Sequence, residues 1–222
     1  MGYALDFGWL ADAAPQLLSG AAVTLFLTAI AGGAGVALSI LGAAVRASRY
    51  RFVRLAVSGY VEAIRNTPFL AQLFFIYFGL PSVGLLLNPT ASGILALTLN
   101  VTAYGVVIVG AGLDSVPGGQ REAGQALGLG ELQLFARVVL PQAMRIIYPA
   151  LASQIVITML DSAIVSQISV RELTYEADLL QARTFRSFET YFVVTLIYLG
   201  LTMLLRRALA AGQRRIAPVW AR

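Results

Sequence analysis

The chain has 222 residues, of which 58% are hydrophobic and 12% are charged, about half the charged share of a typical soluble domain. This composition predicts one integral membrane domain rather than a soluble fold. There is no cysteine and no histidine, which excludes disulfides, thiol chemistry and metal sites built from those side chains. The net charge of +5 comes from arginines alone. Because these lie at the edges of apolar runs, they indicate membrane topology and not nucleic-acid binding.

The first apolar run predicts a membrane-spanning helix. Residues 13–45 contain no charge, which exceeds the roughly 20 residues that cross a bilayer, and we place the span at about 17–45. The preceding segment carries Asp6 and Asp12 and no basic region, so we expect no cleavable signal peptide. Arginines without an acidic neighbour follow within 46–54 and indicate a cytoplasmic loop, which places the N-terminus outside.

The second charge-free run, residues 66–113, is too long for a single crossing. Glycine, proline and asparagine residues within 79–89 favour a turn that divides it. We therefore predict spans at about 56–79 and 90–113, joined by an uncharged outer loop.

Two more spans complete the predicted topology. A polar segment, 114–145, precedes a span at about 146–168. Residues 169–187 carry charges of both signs and predict an outer loop with a short amphipathic helix. The last span lies at about 188–206, and a basic tail follows. The chain, 1–222, is thus predicted to be a single all-α integral membrane domain of five transmembrane helices, with the N-terminus outside and the C-terminus inside.

Three ionisable residues fall within or at the edge of the predicted spans. Glu62 and Arg65 lie three residues apart on one helical face, and an ion pair at the membrane edge and a functional role are both open for them. Asp161 falls inside the fourth span, where a charge stranded in lipid is costly. We expect a functional role for Asp161, with a solvated position near the outer interface as the alternative.

The polar segment includes a stretch, residues 119–141, that predicts a short helix followed by Gly128 and Gly130. An apolar series after these glycines, within 132–139, is compatible with a second helix along the membrane surface. Composition alone fits two roles for the stretch. It is either an interfacial amphipathic helix that binds nothing or a cytoplasmic projection gripped by another subunit.

This stretch resembles the EAA loop of ATP-binding-cassette (ABC) importer permeases. The pattern E-A-x-x-x-x-G, nine residues and V-x-L-P is matched by Glu122, Ala123, Gly128, Val138, Leu140 and Pro141. The resemblance extends to the polar amino acid permease family over most of the chain, from residue 17 to residue 206. The matching segments, in order, are RNTPFLAQLFFIYFGLP (65–81), ALTLNVTAY (96–104), GQREAGQALGL (119–129), SQISVRELTYEAD (166–178) and RTFRSFETY (183–191).

The resemblance implies the type I importer permease fold and a transmembrane permease subunit, in a bacterial inner membrane, that forms the path for a polar amino acid or similar small solute. The implied partners are a second permease subunit, two cytoplasmic ATPase subunits and an extracytoplasmic solute-binding protein, besides membrane lipid. ATP and magnesium would be held by the ATPase, because this chain lacks the G-x4-G-K-[ST] phosphate loop. We expect no cofactor, metal site or catalytic residue in this chain, which would be a transport subunit and not an enzyme.

The resemblance also implies which residues contact the ATPase. The coupling residues are Glu122, Ala123, Gly124, Gly128, Leu140 and Pro141. Gly124 stands where relatives usually carry alanine, which lowers the helix propensity by up to about 1 kcal/mol. The substrate-path candidates are Asn100, Tyr104, Asp161, Ser162 and Gln167. The Asp161 carboxylate could meet an ammonium group, whereas interhelical hydrogen bonding is the alternative for Asn100 and Tyr104.

Departures from the family pattern leave open whether this subunit holds a substrate pocket. Val107 and Gly110 stand where many relatives carry an acid and a base, and residues 160–163 read Leu-Asp-Ser-Ala where Lys-Asp/Asn-Thr-Ser is common. A homodimer and a heterodimer with a non-binding half are both open.

Two other functional classes compete with the importer permease. An ATP-independent channel or secondary transporter is the alternative function, although such proteins usually show internal repeats or paired broken helices. An intramembrane enzyme is disfavoured, since the charge-free spans offer no convergent catalytic set once histidine and cysteine are absent.

Overall fold

The computed structural model describes residues 5–46 and 50–216, with side chains up to residue 214. Arg49 and Arg222, which contribute to the predicted inner charge, lie outside the described residues, as does the side chain of Arg215. All regular secondary structure in the described ranges is helical, which confirms the all-α prediction.

Long helices alternate with short ones along the chain. In chain order the α-helices of the described ranges are α1 (Leu10–Arg46), α2 (Arg51–Arg65), α3 (Phe69–Gly79), α4 (Pro89–Asp114), α5 (Gly118–Ala126), α6 (Glu131–Leu134), α7 (Leu140–Asp161), α8 (Leu173–Thr184) and α9 (Ser187–Ile216). Two 3-10 segments, Leu80–Val83 and Ser162–Ile168, follow α3 and α7. A π-helical turn, Phe135–Val139, joins α6 to α7.

Four helical stretches of the described chain are long and apolar enough to cross a membrane: Leu10–Arg46, Pro89–Asp114, Glu131–Ile168 and Ser187–Arg214. They contain four of the five predicted spans, and the remaining apolar helix, Phe69–Val83, is shorter. The number of membrane crossings and the orientation of the chain stay predictions.

The second predicted span, 56–79, is not one helix, and Pro68 gives the reason. α2 ends at Arg65 and α3 begins at Phe69. Proline has no amide hydrogen and disfavours the helical conformation of the residue before it, which favours a break at Thr67 and Pro68. The Thr67 hydroxyl donates to a carbonyl of the last turn of α2 at 2.8 Å and caps that end.

The apolar series 132–139 does not form a separate surface helix, which corrects that expectation. It belongs to a helical path that continues into α7, and its last member, Val139, is 4% exposed. Pro141 has no amide hydrogen to donate to the carbonyl four residues before it, and its ring crowds that carbonyl. The wider π turn immediately before Pro141 accommodates this defect.

The buried apolar side chains form three clusters that follow one another along α1. The first joins the N-terminal half of α1 to α8 and α9, and the second joins its middle to α3, α4 and the segment after α7. The third joins its C-terminal end to α4, α6 and α7. α1 and α4 approach closely through small residues, since a Cβ at Gly35 would lie 2.6 Å from Val101 Cβ. These two helices form the centre on which the candidate site elements pack.

Candidate functional site

α5, which contains the predicted coupling residues Glu122 and Ala123, is almost entirely exposed. Of its nine residues only Gly124 is buried. Gly128 adopts a left-handed φ of 77° directly after the helix. Hydrogen bonds of 2.9 and 3.1 Å return from the amides of Gly128 and Leu129 to carbonyls of α5. They close the helix in a Schellman motif, whose left-handed position favours glycine. The predicted short helix with a glycine turn is therefore present.

The departure from alanine at Gly124 has a packing reason. A Cβ at this position would overlap Leu134 Cδ1. Leu134, in α6, is 8% exposed and belongs to the apolar cluster formed with α1, α4 and α7. The missing side chain lets α5 lie directly on α6, so the exposed helix is joined to the rest of the fold through an apolar contact.

A polar contact also joins α5 to α4. The Arg121 guanidinium donates to the Leu113 carbonyl at 2.9 Å, and this carbonyl lies in the last turn of α4, where intrahelical donors run out. On the exposed side, Leu127 is 82% exposed, and the Glu122 carboxylate has no hydrogen-bond or ion-pair partner among the described residues. The corner formed by α5 and its glycine turn therefore has an inner side that is anchored to the fold and an outer side that is exposed.

The other predicted coupling residues lie within the helix that follows. Leu140 is half-buried and Pro141 is buried at the start of α7. Pro141 shapes the π turn rather than the surface of α5. The exposed corner itself is formed by three of the predicted residues: Glu122, Ala123 and Gly128.

Asn100 and Tyr104 lie one turn apart on α4 and contact residues at the break between α2 and α3. The Asn100 amide donates to Gln72 Oε1 at 3.4 Å. The guanidinium of Arg65, the last residue of α2, lies over the Tyr104 ring, 5.4 Å from its centroid. An arginine at this distance is attracted by the negative face of the ring. Both predicted path residues therefore contact side chains of α2 or α3 next to the break between these helices.

Gln72, in the first turns of α3, was not predicted and holds this break together. Its amide nitrogen lies 2.7 Å from the Ile64 carbonyl, 3.0 Å from the Thr67 carbonyl and 2.9 Å from the Thr67 hydroxyl. These groups lie at the end of α2, where helical partners run out. The available sequence signal is a glutamine shortly after a proline in an apolar run. The Asn100 contact is the interhelical bond named as its alternative, and its place on a substrate path stays a prediction.

Glu62 and Arg65 form no ion pair in the described structure. The Glu62 carboxylate accepts a hydrogen bond from Asn66 Nδ2 at 3.0 Å. Arg65 instead reaches across to Tyr104. The three-residue spacing allows the pair, but the helix ends at Arg65 and leaves its side chain free to contact α4.

The remaining path candidates lie at the end of α7. Asp161 is half-buried and has no hydrogen-bond or ion-pair partner among the described residues. Ser162 is fully buried, and its hydroxyl donates to the Met159 carbonyl at 2.7 Å. Gln167 is exposed. The segment after α7 meets α4 at Gly93, roughly 10 Å along the helix axis from Asn100. The path candidates therefore form two groups, which lie beside different positions along α4.

Three carboxylates in or next to α8 are buried, and the sequence did not predict their burial. α8 is a helix, as expected for 169–187, but Glu172, Glu176 and Glu189 are 0%, 3% and 0% exposed. Glu189 pairs with Arg186 at 3.5 Å. Within the described residues no group of three or more such side chains is suited to a metal ion.

Glu172 connects three helices. Its Oε1 accepts the amide of Tyr175 at 2.8 Å and so caps α8. Its Oε2 accepts the hydroxyl of Tyr198, in α9, at 2.8 Å and that of Thr24, in α1, at 3.4 Å. Burial raises the pKa of the Glu172 carboxyl, and these donors oppose the rise.

A second set of contacts fixes α8 against α1. The Glu176 carboxylate accepts hydrogen bonds from Gln16 Nε2 at 2.5 Å and from the Arg171 guanidinium at 2.8 Å. A Cβ at Gly20 would lie 2.9 Å from Leu173 Cα, so the two backbones touch there. α8 is therefore held on the fold by polar and close backbone contacts together.

The chain resembles known permeases over most of its length. It is 39% identical over 169 residues to the L-cystine transport system permease protein TcyB of Bacillus subtilis (strain 168), covering 76% of this chain and 72% of that protein. It is 32% identical over 216 residues to the glutamine transport system permease protein GlnP of Escherichia coli (strain K12), covering 96% of this chain and 99% of that protein.

Solved structures agree on the fold. The crystal structure of an amino acid ABC transporter with histidines matches with a TM-score of 0.86 and 36% identity, over 96% of this chain and 100% of that chain. An inward-facing structure of the MetNI methionine ABC transporter matches with a TM-score of 0.74 and 21% identity, over 90% of this chain and 95% of that chain. The second likeness shows the fold alone. The predicted type I ABC importer permease fold is confirmed.

The family match covers most of the chain. Residues 35–218 match the family described as "Binding-protein-dependent transport system inner membrane component". Together with the apolar helices, this match shows a multi-pass membrane protein. The chain belongs to the family of binding-protein-dependent transport system inner membrane components, and it is a permease subunit of an ABC transporter and not an enzyme.

Proposed function

We propose that this chain is the permease subunit of a bacterial inner-membrane ABC importer that moves a polar amino acid or similar small solute. The observation that carries the proposal is the near full-length likeness, at 36% identity and a TM-score of 0.86, to a solved amino acid ABC transporter. The relatives named for L-cystine and glutamine transport support the same solute class. All of these relatives are permease components, which disfavours an ATP-independent channel or secondary transporter.

The proposed assembly contains a second permease subunit, two cytoplasmic ATPases that hold ATP and magnesium, and an extracytoplasmic solute-binding protein. Residues 1–222 form one membrane domain in this assembly, with the N-terminus outside and the C-terminus inside. The segment 114–145 then faces the cytoplasm. The concentration of arginines on the inner segments supports this orientation.

α5 is the proposed contact through which the ATPases move the permease. Its exposed residues Glu122 and Ala123 would enter a groove on the ATPase, while Gly124 rests on Leu134 beneath. From α6 a helical path of 38 residues, Glu131–Ile168, extends for about 57 Å. Displacement of the corner would therefore be carried along this path to the end of α7, where Asp161, Ser162 and Gln167 lie.

A reconstituted complex tests this function. Proteoliposomes containing the permease, its ATPase and its solute-binding protein should accumulate radiolabelled glutamine or cystine only when ATP is present on the ATPase side. Binding of solute must differ between the outward-open and inward-open states for this accumulation. Equal uptake by the permease without the ATPase would contradict the proposal.

A charge reversal tests the coupling contact. Glu122→Lys should abolish ATP-driven uptake and weaken co-purification of the ATPase, because it alters the exposed side of α5. Glu131→Lys is the matched control, since Glu131 is an exposed acid at the start of α6. Wild-type uptake by Glu122→Lys would remove the coupling role.

The proposed path includes Asn100, Tyr104, Asp161, Ser162 and Gln167. The Asp161 carboxylate, without a partner among the described residues, is the group that would meet the ammonium of an amino acid. Asp161→Asn should raise the half-saturating solute concentration or change selectivity in the uptake assay. Unaltered kinetics would instead assign Asp161 to a structural role.

A further inference from the structure

A basic cleft opens where the π turn meets α7. Its volume is about 300 Å³, and its lining residues are Arg137, Val138, Pro141, Gln142 and Arg145. Both arginines are exposed. The ion pairs found among the described residues all lie near α8 and the start of α9. Neither Arg137 nor Arg145 therefore has an acidic partner among these residues. The cleft offers two cations and no anion.

The π turn brings the two arginines to one face of the helix. Arg137 and Arg145 are eight residues apart, a spacing that in a regular α-helix would set them about 80° apart around the axis. Arg137 lies inside the π turn Phe135–Val139, so part of the one extra residue that the turn takes in falls between the two arginines and brings them closer to two full turns apart. Residues two turns apart share a face, about 10 Å apart along the axis.

The cleft lies at the predicted membrane boundary. Arg145 directly precedes the fourth predicted span, 146–168, and its neighbour Ile146 is 59% exposed. In the predicted orientation this is the inner membrane surface, which anionic lipids make negative. Guanidinium groups bind phosphate oxygens with two parallel hydrogen bonds, which favours arginine over lysine at such a site.

We propose that this cleft binds the phosphate headgroup of an anionic phospholipid of the inner leaflet, with Arg137 and Arg145 as its two cationic ligands. The apolar surface at Ile146 would lie beside the acyl chains. The proposal goes beyond solute transport and rests on the predicted orientation of the chain, not on the identity of the solute. A lipid bound there would hold the start of α7, below which the α5 corner moves, at the membrane surface.

Lipid retention by the complete permease–ATPase complex tests the site. The complex is placed in phosphatidylcholine nanodiscs with or without phosphatidylglycerol, transferred to detergent and examined by native mass spectrometry. Wild type should retain phosphatidylglycerol in preference to phosphatidylcholine. Arg137→Gln/Arg145→Gln should retain on the order of ten-fold less phosphatidylglycerol. Arg206→Gln/Arg207→Gln removes two exposed arginines of α9 as the matched control and should retain it like wild type.

Several outcomes would overturn the proposal. Equal retention by wild type and the Arg137/Arg145 variant would do so, as would equal loss from both double variants, because net charge alone would then decide. Loss of the ATPase with unchanged lipid would assign the arginines to a protein contact. Release of the lipid by millimolar inorganic phosphate would point to a free-phosphate site. Should the double variant misfold, the single variants Arg137→Gln and Arg145→Gln each must lower retention for the site to stand.

Discussion

α5 and α8 are short helices that each connect long ones, yet their surroundings are opposite. α8 has 12 residues, and two buried glutamates, Glu172 and Glu176, fix its first turns. α5 has nine residues and buries only Gly124. Both segments are rich in polar residues, so polarity does not decide exposure. α8 is therefore a fixed part of the fold, whereas α5 presents an exposed surface that a partner can bind.

The two helices also differ in how their free ends are satisfied. Glu172 caps α8 with its side chain and bonds to two other helices. α5 begins after Pro117 without a side-chain cap. A helix of this length is marginal in water without tertiary contacts. We therefore expect α5 to open far more readily than α8 when the permease is alone.

The largest loss of stability is expected from a substitution at Gly20, where α1 touches α8. Gly20→Ala would place a Cβ 2.9 Å from Leu173 Cα and 3.1 Å from the Glu172 carbonyl, and backbone yields less than a side chain. We expect a loss of about 1–3 kcal/mol, seen as a lower Tm in detergent. Gly33→Ala, with nothing within 4 Å of the new Cβ, is the control in the same helix. Equal Tm values would show that α8 is not held tightly on α1.

Removing the Glu172 carboxylate should have an effect of about the same size. Glu172→Ala removes the acceptor of the Tyr175 amide and leaves the Tyr198 hydroxyl with the Thr174 hydroxyl alone, which costs about 1–3 kcal/mol for a buried group. Glu131→Ala removes an exposed acid next to α5 and should change stability by at most about 0.5 kcal/mol. Thermal unfolding of the two variants gives the comparison. A similar small change in both would mean that the buried carboxylate does not fix α8.

The pH dependence of α8 should be smaller but specific. Burial raises the pKa of Glu172 above its ordinary value of 4.5, so the folded state favours the protonated carboxyl. Its contribution to stability is present at low pH and is lost as the pH rises through the folded pKa. Glutamine stays neutral, so the Tm of Glu172→Gln relative to wild type should increase with pH above 4.5. A relative Tm that falls over this range would reverse the sign and contradict the account.

The smallest effect is expected in α5. Gly124→Ala would meet Leu134 Cδ1, the end of a flexible side chain that can turn aside. The gain in helix propensity of up to about 1 kcal/mol offsets part of the packing loss. We expect a Tm close to wild type and retained uptake. A loss as large as that of Gly20→Ala would show that α5 is fixed as firmly as α8.

The long helices were predictable from charge-free length, and their interruptions were not. The runs beginning at residues 13 and 66 gave the positions of α1 and α4, because a bilayer demands long apolar stretches. Charge-free length does not show the effect of Pro68, whose missing amide hydrogen favours a break in the helix. The end of α5 was predictable from the local sequence, because Gly128 permits the left-handed φ that the turn requires.

The contacts that bury polar groups could not be predicted from local patterns. Glu172 bonds to Tyr198, 26 residues away, and to Thr24, 148 residues away. The sequence shows only a charged residue in a charged segment. Asn100 was recognised as a polar residue in a span, but its partner Gln72 lies in another helix. The proposed role of Asp161 involves the solute, so it follows from the resemblance and not from packing within this chain.

Hydrogen exchange of α5 and α8, measured on the same purified permease with and without its ATPase, tests whether α5 is the surface that the ATPase binds. We expect α5 amides to exchange rapidly in the permease alone and slowly in the complex, and α8 amides to exchange slowly in both. Unchanged exchange of α5 on ATPase binding, with protection gained at another segment, would contradict this expectation.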